Sequence, residues 1–195
     1  LTQTGAFRRE LNYQDERVYG GFYTHGEIRD VVAYAAERHV MVIPEIETPG
    51  HASAILAAYP ELGCAGAGPF AVEDRWGIFE NVLNAGNDKV FDLLDAVFAT
   101  MAELFPSPYI HIGGDECPRT QWKDDPLCRQ RVKDEGLSSE EELQGWLTSR
   151  IGALAAAHGK TIIGWDEILD GTEKLGLPPR RLSTTSLSHR GEGRA

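Results

Sequence analysis

The sequence has few cysteines, few basic residues and no long apolar run. Its 195 residues include three cysteines, Cys64, Cys117 and Cys128, whose spacing fits neither a CxxC pair nor a series of metal ligands. Thirty Asp and Glu against nineteen Lys and Arg give a net charge of −11. This charge argues against a nucleic-acid surface, which needs clustered cations. No run approaches the roughly eighteen apolar residues of a membrane span. Neither nucleic acid nor membrane is therefore expected as a partner.

Three helix–strand units follow one another along the chain. Helical periodicity covers residues 24–39, 87–105 and 139–159, and the apolar runs "VMVIPEIE", "YIHIG" and "TIIGW" follow in turn. Thr24 with Glu27, and Ser139 with Glu142, are capping-box signals at two helix starts. Helices that alternate with buried strands predict an α/β fold with parallel strands. This pattern alone does not separate a closed barrel from an open sheet.

Acidic and aromatic side chains are concentrated where these strands end. They are Glu45, Glu47, His51, Asp115, Glu116, Trp165, Asp166 and Glu167. In parallel α/β folds the functional groups gather at the carboxyl ends of the strands. Carboxylates suit acid–base chemistry and an indole suits the face of a pyranose ring, so the cluster favours a sugar site. No HExxH-like spacing is present and His111 is expected inside the fold, so neither a metal nor another cofactor is predicted.

The adjacent acids in "HIGGDECP" constrain the chemistry. A glycosidase with two catalytic carboxylates holds them across the scissile bond, about 5 Å apart for a retaining enzyme. Asp115 and Glu116 are neighbours, and neighbours on a strand point to opposite faces. They can share a pocket only where the strand is ending, and they would then flank different parts of the sugar. A two-carboxylate glycosidase stays open as an alternative.

The motifs "YGGFYT", "PEIETPGH", "AYPEL", "YIHIGGDECP" and "IIGWDEIL" occur in this order. In this the chain resembles glycoside hydrolase family 20, the β-N-acetylhexosaminidases, up to about Pro179. The resemblance implies a partial (β/α)₈ TIM barrel in residues 1–179, with strands three to five. Residues 180–195 would form a divergent or truncated tail with a remnant of strand six, in which His189 replaces an expected tryptophan. We expect a fragment of a longer gene.

The resemblance also implies roles for individual residues. Glu116 would be the general acid and then the base, while Asp115 would support the 2-acetamido group, whose oxygen attacks C1. His51 and Trp165 would bind the substrate, an N-acetylhexosaminide glycan. The fragment alone is expected to be inactive, or to be a sugar-binding polypeptide. A periplasmic or secreted location is expected for the full-length parent, and the oligomeric state is left open.

Overall fold

The computed structural model describes residues 1–9 and 17–172, together with the backbone of Leu182–Thr184. The strands are β1 (Phe7–Arg9), β2 (Val18–Gly20), β3 (Tyr109–His111), β4 (Thr161–Gly164) and β5 (Leu182–Thr184). The α-helices are α1 (His25–Ala36), α2 (Ser53–Ala58), α3 (Asp88–Leu104), α4 (Thr120–Asp124), α5 (Pro126–Asp134) and α6 (Glu140–Ala157). Short 3₁₀ turns follow at Pro60–Leu62 and Asp166–Leu169. Helix α1 carries the predicted capping box in full, and Ser139 caps α6 through the Glu142 backbone N–H.

A parallel sheet in the order β3–β4–β5 organises the chain. Residues 44–48 extend it on the free side of β3, where Glu45 pairs in parallel with His111. Here the Ile46 N–H donates to the His111 carbonyl at 2.9 Å. Four segments therefore lie side by side in sequence order and point in one direction. Their carboxyl ends meet at one edge, as the helix–strand alternation predicts. Strand β5 falls inside the segment after Pro179.

The strand predicted over residues 40–47 is wrong in extent. Pairing begins only at Pro44, whose carbonyl accepts from the His111 N–H at 2.9 Å. Val40 and Met41 are 57% and 53% exposed, although a strand buried on both faces was expected. No described residue covers the outer side of this segment, and the preceding helix α1 buries none of its residues. A strand that is buried on both faces needs neighbours on both sides, and this apolar run has a described neighbouring strand on one side, β3.

The core lies between the sheet and two long helices. Helix α6 packs against both α3 and β4. The core consists of fully buried apolar side chains from the sheet and from both helices: Leu94, Phe98, Ile110, Leu143, Leu147, Ile151 and Ile162. Trp122 is also buried, and its Nε1 donates to the Leu83 carbonyl at 3.0 Å. Within the described part of the chain, no helix combines the length and apolarity needed to cross a bilayer.

Cys64 lies in hydrogen-bond contact with Cys128 and near Cys117. All are free thiols, with Cys64 and Cys128 buried and Cys117 half-buried. A hydrogen bond with Cys128, together with burial, raises the pKa of Cys64. Burial raises the pKa of Cys117 to about 12. Thiols of this kind are unreactive at neutral pH, in line with a packing role.

Asp125 joins the loop after α2 to helix α5. Its carboxylate accepts from four donors: Ala65 N at 2.7 Å, Asn84 Nδ2 at 3.0 Å, Leu127 N at 2.9 Å and Cys128 N at 3.0 Å. The residue is only 2% exposed. Burial by itself would raise the pKa of Asp125, but the hydrogen bonds outweigh burial and lower it. The buried charge is therefore held by its donors.

We predict that Asp125→Ala destabilises the natural full-length protein by about 2–4 kcal/mol, because it leaves buried donors without an acceptor. Urea denaturation followed by tryptophan fluorescence measures the effect. Asp124→Ala, at the exposed neighbouring position, is the matched control and should stay within about 0.5 kcal/mol of wild type. Because the folded pKa of Asp125 is lowered, its contribution is present above its ordinary pKa and is lost as the pH falls through the folded value. Equal effects of the two substitutions would contradict the prediction.

Candidate active site

A cavity of about 890 Å³ opens above the carboxyl ends of the parallel segments. Six residues of the predicted cluster line it: Glu45, Glu47, His51, Asp115, Glu116 and Trp165. Asp166 and Glu167 do not belong to this lining, because the chain turns after Trp165 into a 3₁₀ helix. The structure thus brings together the four residues singled out for catalysis and substrate binding.

A left-handed turn places the two acids on the same side. After β3, Gly113 and Gly114 have φ of +67° and +100°. A Cβ at Gly113 would collide with the Glu47 carboxyl, and one at Gly114 with the Ile168 side chain. Only glycine meets both demands, positive φ and close approach. Because the strand has ended by this point, Asp115 and Glu116 both face the cavity.

His51 lies against both acids. Its Nε2 is 3.2 Å from Glu116 Oε2 and 3.8 Å from Asp115 Oδ2. His51 and Glu116 are also non-glycine residues with positive φ, +48° and +47°. Such conformations cost of order 1–3 kcal/mol and persist where the surroundings enforce them, commonly at functional sites. The contact between His51 and Glu116 therefore joins two residues that both have a positive φ.

The two acids differ in depth. The Glu116 side chain is 46% exposed and the Asp115 side chain 24%. Asp115 Oδ1 is buried and has no hydrogen-bond partner among the described residues. A buried carboxylate oxygen needs a donor, and a ligand N–H could supply it. Glu116, nearer to solvent, can exchange protons with water or with a bound ligand.

Trp165 is fixed by its backbone and by a second ring. Its N–H donates to the Gly113 carbonyl at 2.9 Å. Its indole meets the buried His111 imidazole edge to face, with centroids 5.1 Å apart. His111 Nδ1 in turn accepts from the Gly113 N–H at 3.1 Å and lies 3.0 Å from Glu45 Oε1. His111 is therefore inside the fold, as the sequence predicts, and it supports the cavity wall.

Glu47 has the most perturbed carboxyl of the site. Burial raises the pKa of Glu47 to about 8, with further contributions from the Asp115 charge and from a hydrogen bond with Glu45. At neutral pH this carboxyl keeps its proton. The sequence places Glu47 in the cluster, but its protonation state depends on burial beside Gly113, which no local motif encodes.

Three ligand-type atoms on His51, Asp115 and Glu116 lie within 4.8 Å of one another. A divalent cation could use such a set. Acidic groups at this spacing are nevertheless common without an ion, and the His51–carboxylate contacts already account for their proximity.

The loop at residues 74–79 also lines the cavity, although none of its residues is in the cluster predicted from the sequence. Trp76 lies at its centre and is wholly exposed. An aromatic residue beside glycine in the polar stretch "EDRWGIFEN" is the signal that could have identified it.

Solved structures define the class of fold. A chitobiase from Flavobacterium johnsoniae matches 86% of this chain at 38% identity with a TM-score of 0.78, over 24% of its own length. An exo-β-N-acetylglucosaminidase from Vibrio harveyi, solved with N-acetylglucosamine, matches 86% at 33% identity with a TM-score of 0.73, over 27% of its own chain. The chain accordingly has an α/β fold of the TIM-barrel type.

The family follows from the sequence match. Residues 1–186 match the catalytic domain of glycosyl hydrolase family 20, and the chain belongs to this family. It is 47% identical to a β-hexosaminidase of Porphyromonas gingivalis over 194 residues, which is 98% of this chain. The match covers 23% of that relative, so the chain spans about a quarter of its length.

We predict that Glu47→Gln removes a pH dependence of stability. Because the folded pKa of Glu47 is raised, its contribution is complete below its ordinary pKa and is lost as the pH rises toward about 8. The loss approaches about 1.4 kcal/mol per pH unit for one proton. Urea midpoints of the natural full-length protein at pH 5, 6, 7 and 8 measure it. The glutamine variant should show a flatter profile, and Glu61→Gln, at an exposed carboxyl outside the cavity, should leave it unchanged. Parallel profiles for wild type and Glu47→Gln would refute the assignment.

Proposed function

We propose that the natural full-length protein hydrolyses terminal non-reducing N-acetyl-β-D-hexosamine residues of glycans, with retention of configuration at C1. Glu116 is the acid and base, Asp115 supports the 2-acetamido group, and His51 and Trp165 bind the substrate. The observation that carries this proposal is the placing of Asp115 and Glu116 side by side in one cavity, at different depths and both beside His51. Family membership and the names of the matched relatives support it.

The first step divides the work between the acids. The Glu116 carboxyl donates its proton to the glycosidic oxygen while the acetamido carbonyl oxygen of the substrate attacks C1. The bond from C1 to the leaving group breaks, and an oxazolinium ring forms. Its positive charge lies near the N–H that faces Asp115, and a buried carboxylate stabilises developing charge strongly. His51 at 3.2 Å from Glu116 orients the acid.

The second step reverses the proton transfer. The Glu116 carboxylate takes a proton from water as that water attacks C1. The oxazolinium opens to the acetamide, and two displacements at C1 give net retention. In each step Glu116 transfers the proton and Asp115 stabilises the positive charge, so no enzyme nucleophile is needed.

A two-carboxylate glycosidase is the alternative from the same class of enzymes. Glu45 and Glu47 line the cavity and could in principle supply a nucleophile. Glu47 keeps its proton at neutral pH, however, and a neutral carboxyl is a poor nucleophile. Glu45 is engaged by His111 at 3.0 Å and by its hydrogen bond with Glu47. These engagements favour a nucleophile from the substrate itself.

The proposed place in the barrel follows the order of the sheet. Residues 44–48, β3 and β4 correspond to strands three to five, and β5 to the sixth strand. Residues 1–179 then belong to the catalytic barrel and residues 180–195 to a divergent or truncated tail, with His189 outside the described residues. Because the remaining pocket would come from other parts of the barrel, we propose that these 195 residues alone are inactive or only bind sugar.

We predict that Glu116→Gln in the natural full-length protein lowers kcat/KM for an alkyl N-acetyl-β-D-glucosaminide by about 10²–10⁴, because the amide cannot protonate the leaving oxygen. An aryl glycoside with an acidic phenol needs less protonation and should lose less. Initial rates on both substrates measure the difference. Glu80→Gln, outside the cavity, is the control. A variant that hydrolyses both substrates at wild-type rates would remove Glu116 from catalysis, whereas a wild-type protein that binds but does not hydrolyse either substrate would favour a sugar-binding role for the site.

We predict that Asp115→Asn lowers kcat for N-acetylglucosaminides by about 10²–10³, because a neutral amide cannot stabilise the oxazolinium charge. The wild-type enzyme should cleave the matching glucoside, which lacks the acetamido group, at least about 10³-fold more slowly. Paired kcat/KM values for the two aryl glycosides test this. Similar rates on the glucoside and the N-acetylglucosaminide would replace substrate assistance by the two-carboxylate mechanism.

A further inference from the structure

Trp76 is the most exposed large apolar side chain of the described chain, with the full surface of its indole accessible. Exposed tryptophan is unusual, because its large apolar surface gains much from burial. The residue lies between α2 and α3 on the loop at residues 74–79. The same loop lines the cavity that holds Asp115 and Glu116. An indole in this position is available to a ligand of the cavity.

The size of the cavity indicates more than one sugar ring. At about 890 Å³ it lies near the upper end of the roughly 300–1,000 Å³ of small-molecule sites. The acetamide-binding side is occupied by Trp165 and the deeper acid, Asp115. Glu116 is nearly twice as exposed as Asp115, and Trp76 lines the same cavity. Because the proposed reaction removes a terminal non-reducing residue, any further sugar ring in the cavity belongs to the leaving group.

The charge of the loop favours a neutral ligand. Arg75 lies beside Trp76, but its Nε is 3.7 Å from Asp74 Oδ1, so the pair is close to neutral. A neutral pyranose presents C–H groups on one face, and these pack on the face of an indole. The Asp74–Arg75 pair has no net positive charge that would attract an acidic sugar.

We propose that Trp76 is the stacking platform for the sugar ring of the leaving group. The platform makes neutral oligosaccharides, rather than simple alkyl glycosides, the preferred substrates. This inference rests on the proposed hydrolase function, because only that function defines a leaving group. Trp76 is a specificity residue: it contacts substrate beyond the scissile bond and takes no part in proton transfer.

The test compares two substrates in the natural full-length protein. The leaving group of N,N′-diacetylchitobiose is a sugar, whereas that of methyl N-acetyl-β-D-glucosaminide is methanol. Trp76→Ala should raise KM for the disaccharide about tenfold and change kcat/KM for the methyl glycoside by less than about twofold. Trp76→Phe keeps an aromatic face and should restore most of the disaccharide affinity. Tyr34→Ala removes another exposed aromatic, on α1, and should change neither value.

Three results would overturn the inference. Equal losses on both substrates would place Trp76 in general support of the site, and no loss on either would remove it from binding. A fall of more than about 5 °C in the thermal midpoint of Trp76→Ala would mean that the indole is buried in the full protein. If the wild-type protein cleaves neither substrate, the proposed function fails first. If it cleaves both and Trp76→Ala does not discriminate, only the inference fails.

Discussion

A single buried carboxamide joins the two loops on which the candidate site is built. Gln144, 1% exposed on α6, donates from Nε2 to the Gly114 carbonyl at 3.0 Å. Its Oε1 accepts from Arg119 Nε at 3.0 Å, and Arg119 also binds Asp170 at 2.7 Å. Asp170 ends the turn that follows Trp165. Because these polar groups are buried or partly buried, the loss of one hydrogen bond would leave its partner group unsatisfied. Gln144 on α6 therefore helps to hold the loop of residues 113–116 next to the turn of residues 165–170.

The turn held by Gln144 resolves a conflict between strand geometry and chemistry. Two consecutive residues of a strand face opposite sides, whereas the proposed reaction needs both acids at one sugar. Positive φ at Gly113, Gly114 and Glu116 turns the chain out of the pleat. The space left by the missing Cβ of Gly113 is filled by the Glu47 carboxyl from the neighbouring segment. The same glycine thus allows the turn and brings a third carboxyl toward Asp115.

Much of the fold and most of the candidate site could be predicted from the sequence, because the signals are local. Capping residues and helical spacing located α1, α3 and α6, and the strand ends located His51, Asp115, Glu116 and Trp165. Two of the failures have different origins. Helix α5 is absent from the three predicted helices, although Asp125 as the cap and Pro126 at the first helical position are a local start signal. The partial pairing of residues 40–47 depends instead on neighbours that a single segment does not encode.

The protonation state of Glu47 likewise depends on neighbours, and it shows how the cavity accommodates the four carboxyl groups at the strand ends, Glu45, Glu47, Asp115 and Glu116. Four ionised carboxylates in a partly buried cavity would repel one another and would each lose hydration. Protonation of Glu47 removes one charge and provides a donor to Glu45. His51 Nε2 lies 3.2 Å from Glu116 and 3.8 Å from Asp115, and His111 Nδ1 lies 3.0 Å from Glu45. Asp115 Oδ1 is left as a buried acceptor without a partner in the described chain. This oxygen therefore needs a donor from a ligand, and in the proposed reaction the N–H of the 2-acetamido group would be that donor.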